Sequence, residues 1–543
     1  MQRDIGHPNG PFGLLILVLV LVFGTVQIYF WTDRSIWIDE VSQLLNFPLT
    51  NLAQAFGPLP EAQQAGPPVF NLLLQAISGL SIHVMRLIII LLTLCVISAA
   101  MFGAFGKRAL PMAAGLLVLL SLPSFLINGS MLKFYAFDAA GFAIFAAWIY
   151  AKDRSAGLNF RDIAVLLAGL FLGVSTIVGA CVVVGVFLVL RLLGRQLEVK
   201  EIALAGLLIV LSLAYYLQIG HATKIQITAF PDAYGGLGME ALQRFGDATM
   251  ELFRIRGAAI LFVVCLVALA AVAFTKGAER SQLSGLILFI SAILAAFLGL
   301  AAIGKYPAAS SRHLVWMLGV FPVLAGAVVD CLLRSLSYRR SIAIAGLAVL
   351  SCIFAATGLR VVSKWPPQLV EGSSDQVIAT LADLPPSQVL HYFGAFRLIP
   401  LMIERGAPIS HHSYAPSLST HSVAIDPSYF DPEWNEMDAD LFSELIEDIL
   451  HNDPAGWAKM YIMLRLRGDF RPLARFVLDA APRDGSTFYI SSIHAVWPGD
   501  TGRATHGLRQ VLDEKSCDYE PVGVFITLLS PGYVLKVKCP KLP

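Results

Sequence analysis

Gly173-Val174-Ser175-Thr176-Ile177-Val178-Gly179 is the stretch whose reading decides the fold. It sits in the middle of an apolar run over residues 162–193. A helix running straight through would cross a membrane once, and a helix broken here would give two short crossings. The choice puts every later loop on one side or the other. Glycine weakens a helix interior, and Ser and Thr compete with the helix for its own backbone groups. The residues therefore predict a break, with short helices over 162–176 and 178–193.

Outward from that break, apolar runs recur at 14–31, 84–105, 109–127, 134–150, 201–219, 257–275, 283–303, 312–333 and 341–359. Each approaches the roughly 20 residues that a helix needs to cross a bilayer. The chain has 543 residues, 56% hydrophobic and only 14% charged, with a mean hydropathy of +0.69. Those values exclude a soluble globular chain. The expected fold class is a polytopic α-helical membrane protein with about 11 transmembrane helices. A net charge of +1 without a basic block gives no footprint for nucleic acid. The first run carries Tyr29-Phe30-Trp31 where a leader would have small residues, so it reads as a retained span. If the N-terminus is cytoplasmic, five short loops carry their positive charge to that same side. They contain Lys107-Arg108; Lys152, Arg154 and Arg161; Arg191, Arg195 and Lys200; Lys276 and Arg280; and Arg334 with Arg339-Arg340. This pattern places the chain in the inner (plasma) membrane.

The opposite side receives the long first loop 32–83, the turn 127–133, the loop 220–256, the turn 304–311 and all that follows 360. In the first loop Val69 to Leu80 is apolar but too short to span, which suits an interfacial segment. Arg86 opens the next helix and is expected to snorkel to that surface. Residues 1–359 thus form a membrane domain, and 360–543 an extracytoplasmic α/β domain of about 180 residues. In the latter, Val377 to Leu384 and Asp440 to Leu450 read as helices. Val389 to Phe393, Thr487 to Ser491, Val522 to Leu529 and Tyr533 to Val537 read as strands, the last two as a hairpin. Of seven cysteines, five lie in apolar spans; Cys517 and Cys539 flank the hairpin and are expected to form a disulfide in an oxidising compartment.

Three features converge on the outer face. Asp39-Glu40 follows the first span, where acids near a bilayer are costly without a task. Lys133, Tyr135 and Asp138 open a helix that is otherwise apolar. Lys305-Tyr306-Pro307 and Arg312-His313 open another, and cations there suit an anion. The span centres are nearly free of charge and no internal repeat is visible, against the pattern of a transporter.

In order and sidedness these features resemble the GT-C class of polytopic glycosyltransferases, which includes protein O-mannosyltransferases and the lipid A aminoarabinose transferase. Trp37-Ile38-Asp39-Glu40 matches its acidic motif after the first helix. Gly66-Pro67-Pro68 matches its proline pair, with Gly66 where a basic residue is usual. Tyr135-Ala136-Phe137-Asp138 matches its Tyr-x-x-Asp element, and Arg312-His313 with Phe321-Pro322 its late Arg-Tyr helix, with His for Tyr. The likeness covers roughly residues 10–335. It implies transfer of a sugar from a polyprenyl-phosphate donor to an extracytoplasmic glycan, lipid or protein acceptor, with inversion. On that resemblance Asp39 is the base, and Glu40 or Asp138 orients it or holds a metal. Lys305, Arg312, His313 and Lys133 bind the donor phosphate, and Tyr135 and Tyr306 contact substrate. No cofactor is fixed by the residues; a divalent metal on Asp39 and Asp138 is left open. A lipid-linked glycan ligase or polymerase is the alternative, followed by a lipid or glycan transporter.

Overall fold

The computed structural model describes residues 43–44, 46–49, 51–57, 66–120, 122–229, 238–253, 279–307, 311–335, 373–384, 389–392, 438–452, 467–493, 498–525 and 532–541. Single positions including Val20, Ile28, Thr32, Glu40, Leu59 and Tyr234 are described as well. This part is mostly helical, with one small sheet near the C-terminus. Among the described residues four helices are long and apolar enough to cross a membrane: Ile82–Phe105, Thr176–Leu193, Val199–Gly220 and Gln282–Ala302. Shorter apolar helices cover Pro68–Ile77, Ala109–Leu120, Tyr135–Ala151 and Trp316–Cys331. The expected spans 257–275 and 341–359, and nearly all of 14–31, lie outside the described residues.

In chain order the helices are α1 (Pro68–Ile77), α2 (Ile82–Phe105), α3 (Ala109–Leu120), α4 (Pro123–Gly129), α5 (Tyr135–Ala151), α6 (Phe160–Leu170), α7 (Thr176–Leu193), α8 (Val199–Ala229), α9 (Met239–Phe253), α10 (Glu279–Ala302) and α11 (Trp316–Ser335). A 3₁₀ turn, Ser311–Leu314, precedes α11. Local sequence sets most of the boundaries. The Ser81 hydroxyl accepts from the Val84 N–H at 3.4 Å to start α2, and Pro67-Pro68 pre-set the start of α1. The chain between residues 162 and 193 is indeed broken, between Leu170 and Thr176. One expected span is corrected: 109–127 is two helices, because Pro123 lacks an N–H and holds Leu122 extended (φ −93°, ψ 109°).

Helix α5 is buried on nearly every side, as a helix apolar all round should be, and packs between α2 and α11. Gly319 of α11 makes this close approach feasible: a Cβ there would lie 1.8 Å from the Ala139 carbonyl oxygen. The C-terminal end of α5 collects charge. Arg108 pairs with Asp330, which also accepts from Tyr150 Oη at 2.9 Å. Lys152 Nζ meets Asp162 at 2.7 Å, and Arg191 Nε meets Glu201 at 3.0 Å. Glu201 also accepts from the Leu158 N–H at 2.8 Å, tying α8 to the loop after α5. Three of the five positive loops therefore gather at one end of the bundle, and the N-terminus of α5 is the other.

In the C-terminal region the elements are α12 (Ser373–Asp383), β1 (Val389–His391), α13 (Ala439–Asn452), α14 (Arg471–Asp479), β2 (Thr487–Ile493), α15 (Pro498–Glu514), β3 (Asp518–Phe525) and β4 (Gly532–Lys538). Strand order is β1-β2-β4-β3; β1 runs parallel to β2, and β4 is antiparallel to both β2 and β3. Alternate residues face opposite ways. Val389, Tyr489 and Val534 pack with Val377 and Leu381 of α12. Leu390, Phe488, Ile490 and Val537 share a second core with Phe442, Leu473 and Leu508 of α13, α14 and α15. Cys517 and Cys539 are joined as a disulfide.

Candidate functional site

Glu40 is fully buried and held on two sides. Its carboxylate forms a two-pronged pair with Arg86, at 3.1 Å to Nε and 2.7 Å to Nη2, and accepts from the Leu132 N–H at 2.9 Å. Arg86 is only 1% exposed. Lying one turn into α2, it does not snorkel, because the buried Glu40 carboxylate supplies a better partner than the interface does. Glu40 thereby links the segment that precedes α1 to the start of α2 and the turn before α5. Asp39 lies outside the described residues.

The turn fixed by Glu40 leads straight into Lys133, Tyr135 and Asp138, all buried. Phe70 of α1 packs edge-on against Phe134 and Phe137 at 6.4 and 5.4 Å, so the proline-led α1 lies on this same turn. Asn71 beside it donates to the Ala55 and Gly66 carbonyls at 3.0 and 3.2 Å. A Cβ at residue 66 would lie 2.5 Å from the Asn71 carboxamide oxygen. That contact accounts locally for the glycine found where the resemblance leads one to expect a basic residue.

Asp138 lies in the first turn of α5 and faces the break between α6 and α7. Its Oδ1 accepts from the Ser175 N–H at 2.9 Å. Tyr306 donates to the His313 carbonyl and accepts from Trp316 Nε1 at 3.0 Å. Phe297 packs over Tyr306 and Trp316 at 4.6 and 4.5 Å between centroids. The Tyr135 and His313 rings meet edge to face at 5.7 Å, and Lys133 and Arg312 lie within electrostatic reach of His313. Helix α9 packs over the 311–314 turn.

The structure thus brings Lys133, Tyr135, Asp138, Tyr306, Arg312 and His313 together at one end of the bundle, with Glu40 attached through the preceding turn. Lys305 is different: it is exposed, because residues 304–306 turn so that Tyr306 points inward and its neighbour outward. Tyr306 has its hydroxyl engaged by the protein. Sequence reasoning missed Ser175, Tyr215 and Trp316, and read Arg86 only as an interfacial anchor. The one signal for Ser175 was its place in the broken stretch. Among the described residues no three His, Cys, Asp or Glu side chains form a metal-binding group. No protein-family model, curated protein or solved structure matches the chain.

Proposed function

We propose that the chain is a GT-C-like membrane glycosyltransferase, with about eleven spans over 1–359 and an extracytoplasmic domain over 360–543. It moves a sugar from a polyprenyl-phosphate donor to an extracytoplasmic glycan, lipid or protein acceptor. The observation that carries this reading is the packing of His313 against Tyr135, with Lys133 and Arg312 within electrostatic reach, at the end of the bundle to which Glu40, the neighbour of Asp39, is pinned. The cations Lys133 and Arg312 beside apolar helices suit a phosphate on a lipid tail.

Asp39 takes the proton from the acceptor hydroxyl as its oxygen attacks the anomeric carbon. The bond from that carbon to the donor phosphate oxygen breaks on the opposite face, inverting the configuration. The polyprenyl phosphate leaves with its charge beside Lys133, Arg312 and His313. Glu40, bound by Arg86, anchors the chain next to Asp39 and the turn that carries Lys133.

The test uses the full chain in nanodiscs with a panel of polyprenyl-phosphate hexoses and pentoses. Wild type should release polyprenyl phosphate and glycosylate envelope extract. Asp39→Asn should keep donor binding and lose about 10²–10⁴ in turnover. Arg312→Ala should lose binding and turnover together. Near-normal turnover in Asp39→Asn removes the mechanism. The cation cluster also suits a lipid diphosphate, so activity confined to diphosphate donors would assign a glycan ligase or polymerase instead.

A further inference from the structure

We infer that Gln43 binds substrate, donating from its carboxamide Nε2 to a sugar hydroxyl oxygen at the end of the bundle that holds Lys133 and His313. Glu40, Gln43 and Leu44 are helical. The segment closes in two turns, with the Asn46 N–H on the Gln43 carbonyl at 3.2 Å and the Phe47 N–H on the Leu44 carbonyl at 2.9 Å. Residues 40, 43, 44 and 47 have the spacing of one helix face, and all four are buried. That face is polar where it begins and apolar where it ends. Its two polar side chains differ in one respect. The Glu40 carboxylate is satisfied by Arg86 and by the Leu132 N–H. Gln43 is only 1% exposed, yet among the described residues its Nε2 has no hydrogen-bond partner. Asn71 shows the usual arrangement for a buried carboxamide, its Nδ2 donating to the Ala55 and Gly66 carbonyls. A buried donor without an acceptor costs stability, and a substrate that brings the acceptor removes that cost. The position points to the substrate. Gln43 follows Glu40 by one helical turn, and Glu40 is fixed to the residue before Lys133. In the sequence Gln43 also stands four positions after Asp39. A carboxamide N–H brings no charge to a phosphate, for which Lys133 and Arg312 are present; a neutral sugar hydroxyl accepts from it.

The identity of this ligand rests on the glycosyltransferase reading; the unsatisfied donor does not. The experiment compares wild type, Gln43→Met and Gln43→Leu as full chains in nanodiscs. It reads the melting midpoint without ligand, and the Kd for bare polyprenyl phosphate and for polyprenyl-phosphate hexoses and pentoses. It also reads transfer to envelope extract at saturating donor and limiting extract. Methionine keeps the length of glutamine, leucine most of its bulk, and neither has a donor to leave unmade. Both variants should therefore melt at or above wild type without ligand. Loss of one hydrogen bond to a hydroxyl should weaken binding of the sugar-bearing lipid about five- to tenfold, while bare polyprenyl phosphate binds within about twofold of wild type. That result places the hydroxyl on the donor sugar. Unchanged donor binding with transfer reduced about five- to tenfold places it on the acceptor. Equal loss on sugar-bearing and bare lipids, in variants that melt below wild type, would show that Gln43 is satisfied within the fold, and overturns the inference. Variants that match wild type in both donor binding and transfer overturn it too. A wild type that neither binds nor transfers from any polyprenyl-phosphate sugar defeats the glycosyltransferase reading, and the ligand assigned here falls with it. Loss confined to the variants' expected behaviour leaves that reading standing.

Discussion

At the scale of single residues, ionisable side chains here are held by several partners at once. Removing Arg86 would leave the buried Glu40 carboxylate without its counter-ion, a change that costs about 3–5 kcal/mol for a buried pair. Arg86→Ala should therefore lower the unfolding midpoint in a detergent titration far more than Arg161→Ala at the other end. The double variant Glu40→Leu with Arg86→Met should recover much of that loss, though it removes the acceptor of the Leu132 N–H and the donor to the Thr32 carbonyl. Asp469 gives a pH dependence in the C-terminal region. Partial burial alone would raise its carboxyl, but the hydrogen bonds and charge of Arg471 outweigh that and hold it below the usual range. A folded value below the unfolded one stabilises at neutral pH, and the benefit is lost as pH falls through the folded value, below about 4. Asp469→Asn should flatten the acid limb of a melting-temperature profile there; an unchanged limb would show that Asp469 does not set it. Of the site's residues, sequence revealed those whose chemistry is conspicuous near a membrane, such as Asp138 and Arg312. It could not separate Lys305, which faces out, from Lys133, which is buried. That difference depends on how one turn is oriented by Tyr306.

At the scale of elements, periodicity and turn residues located most helices and the closing hairpin. They failed where one local effect met another: Pro123 cuts an apolar run that hydropathy alone joins. The hairpin has a testable consequence. The Cys517–Cys539 bond closes a loop with a sequence separation of 22, for which chain-entropy arguments give about 3 kcal/mol. Cys517→Ser should lower the melting transition of the C-terminal region and free Cys539 for alkylation. In the unreduced wild type, mass spectrometry should find both blocked, and two alkylated thiols would refute the pairing. Helix crossings supply a further case. Gly319→Ala places a methyl against the Ala139 backbone, which cannot move aside as a flexible side chain would. It should destabilise by about 1–3 kcal/mol, the range for overpacking a tight core. Gly103→Ala, where a Cβ meets nothing within 4 Å, should be neutral or slightly stabilising.

At the scale of the whole molecule, the arrangement depends on polarity between the two ends of the bundle. One end holds Arg108 with Asp330, Lys152 with Asp162 and Arg191 with Glu201. The other holds Glu40 with Arg86 and the cluster around Asp138, Tyr306 and His313. This separation was legible in the sequence, because loop charge alternates span by span once the break at Gly173 is accepted. The clustering within the second end was not, since Glu40, Lys133, Ser175 and Arg312 are far apart in the chain and meet only through packing. The positive-inside tendency then makes a prediction about orientation. Lys107, Arg108, Lys152, Arg191 and Lys200 belong to the first end, so that end should face the cytoplasm, and the Asp138 end the outer surface. An alkaline phosphatase fused after Pro543 should be active, and one fused after Arg340 silent, because the enzyme folds only outside the cytoplasm. Labelling of a cysteine placed at the exposed Lys305 should proceed with a membrane-impermeant maleimide on intact spheroplasts. The opposite outcome in both assays would turn the cation cluster towards the cytoplasm. A donor whose sugar is presented at the outer leaflet could not reach it there, and the glycosyltransferase reading would fail with its topology.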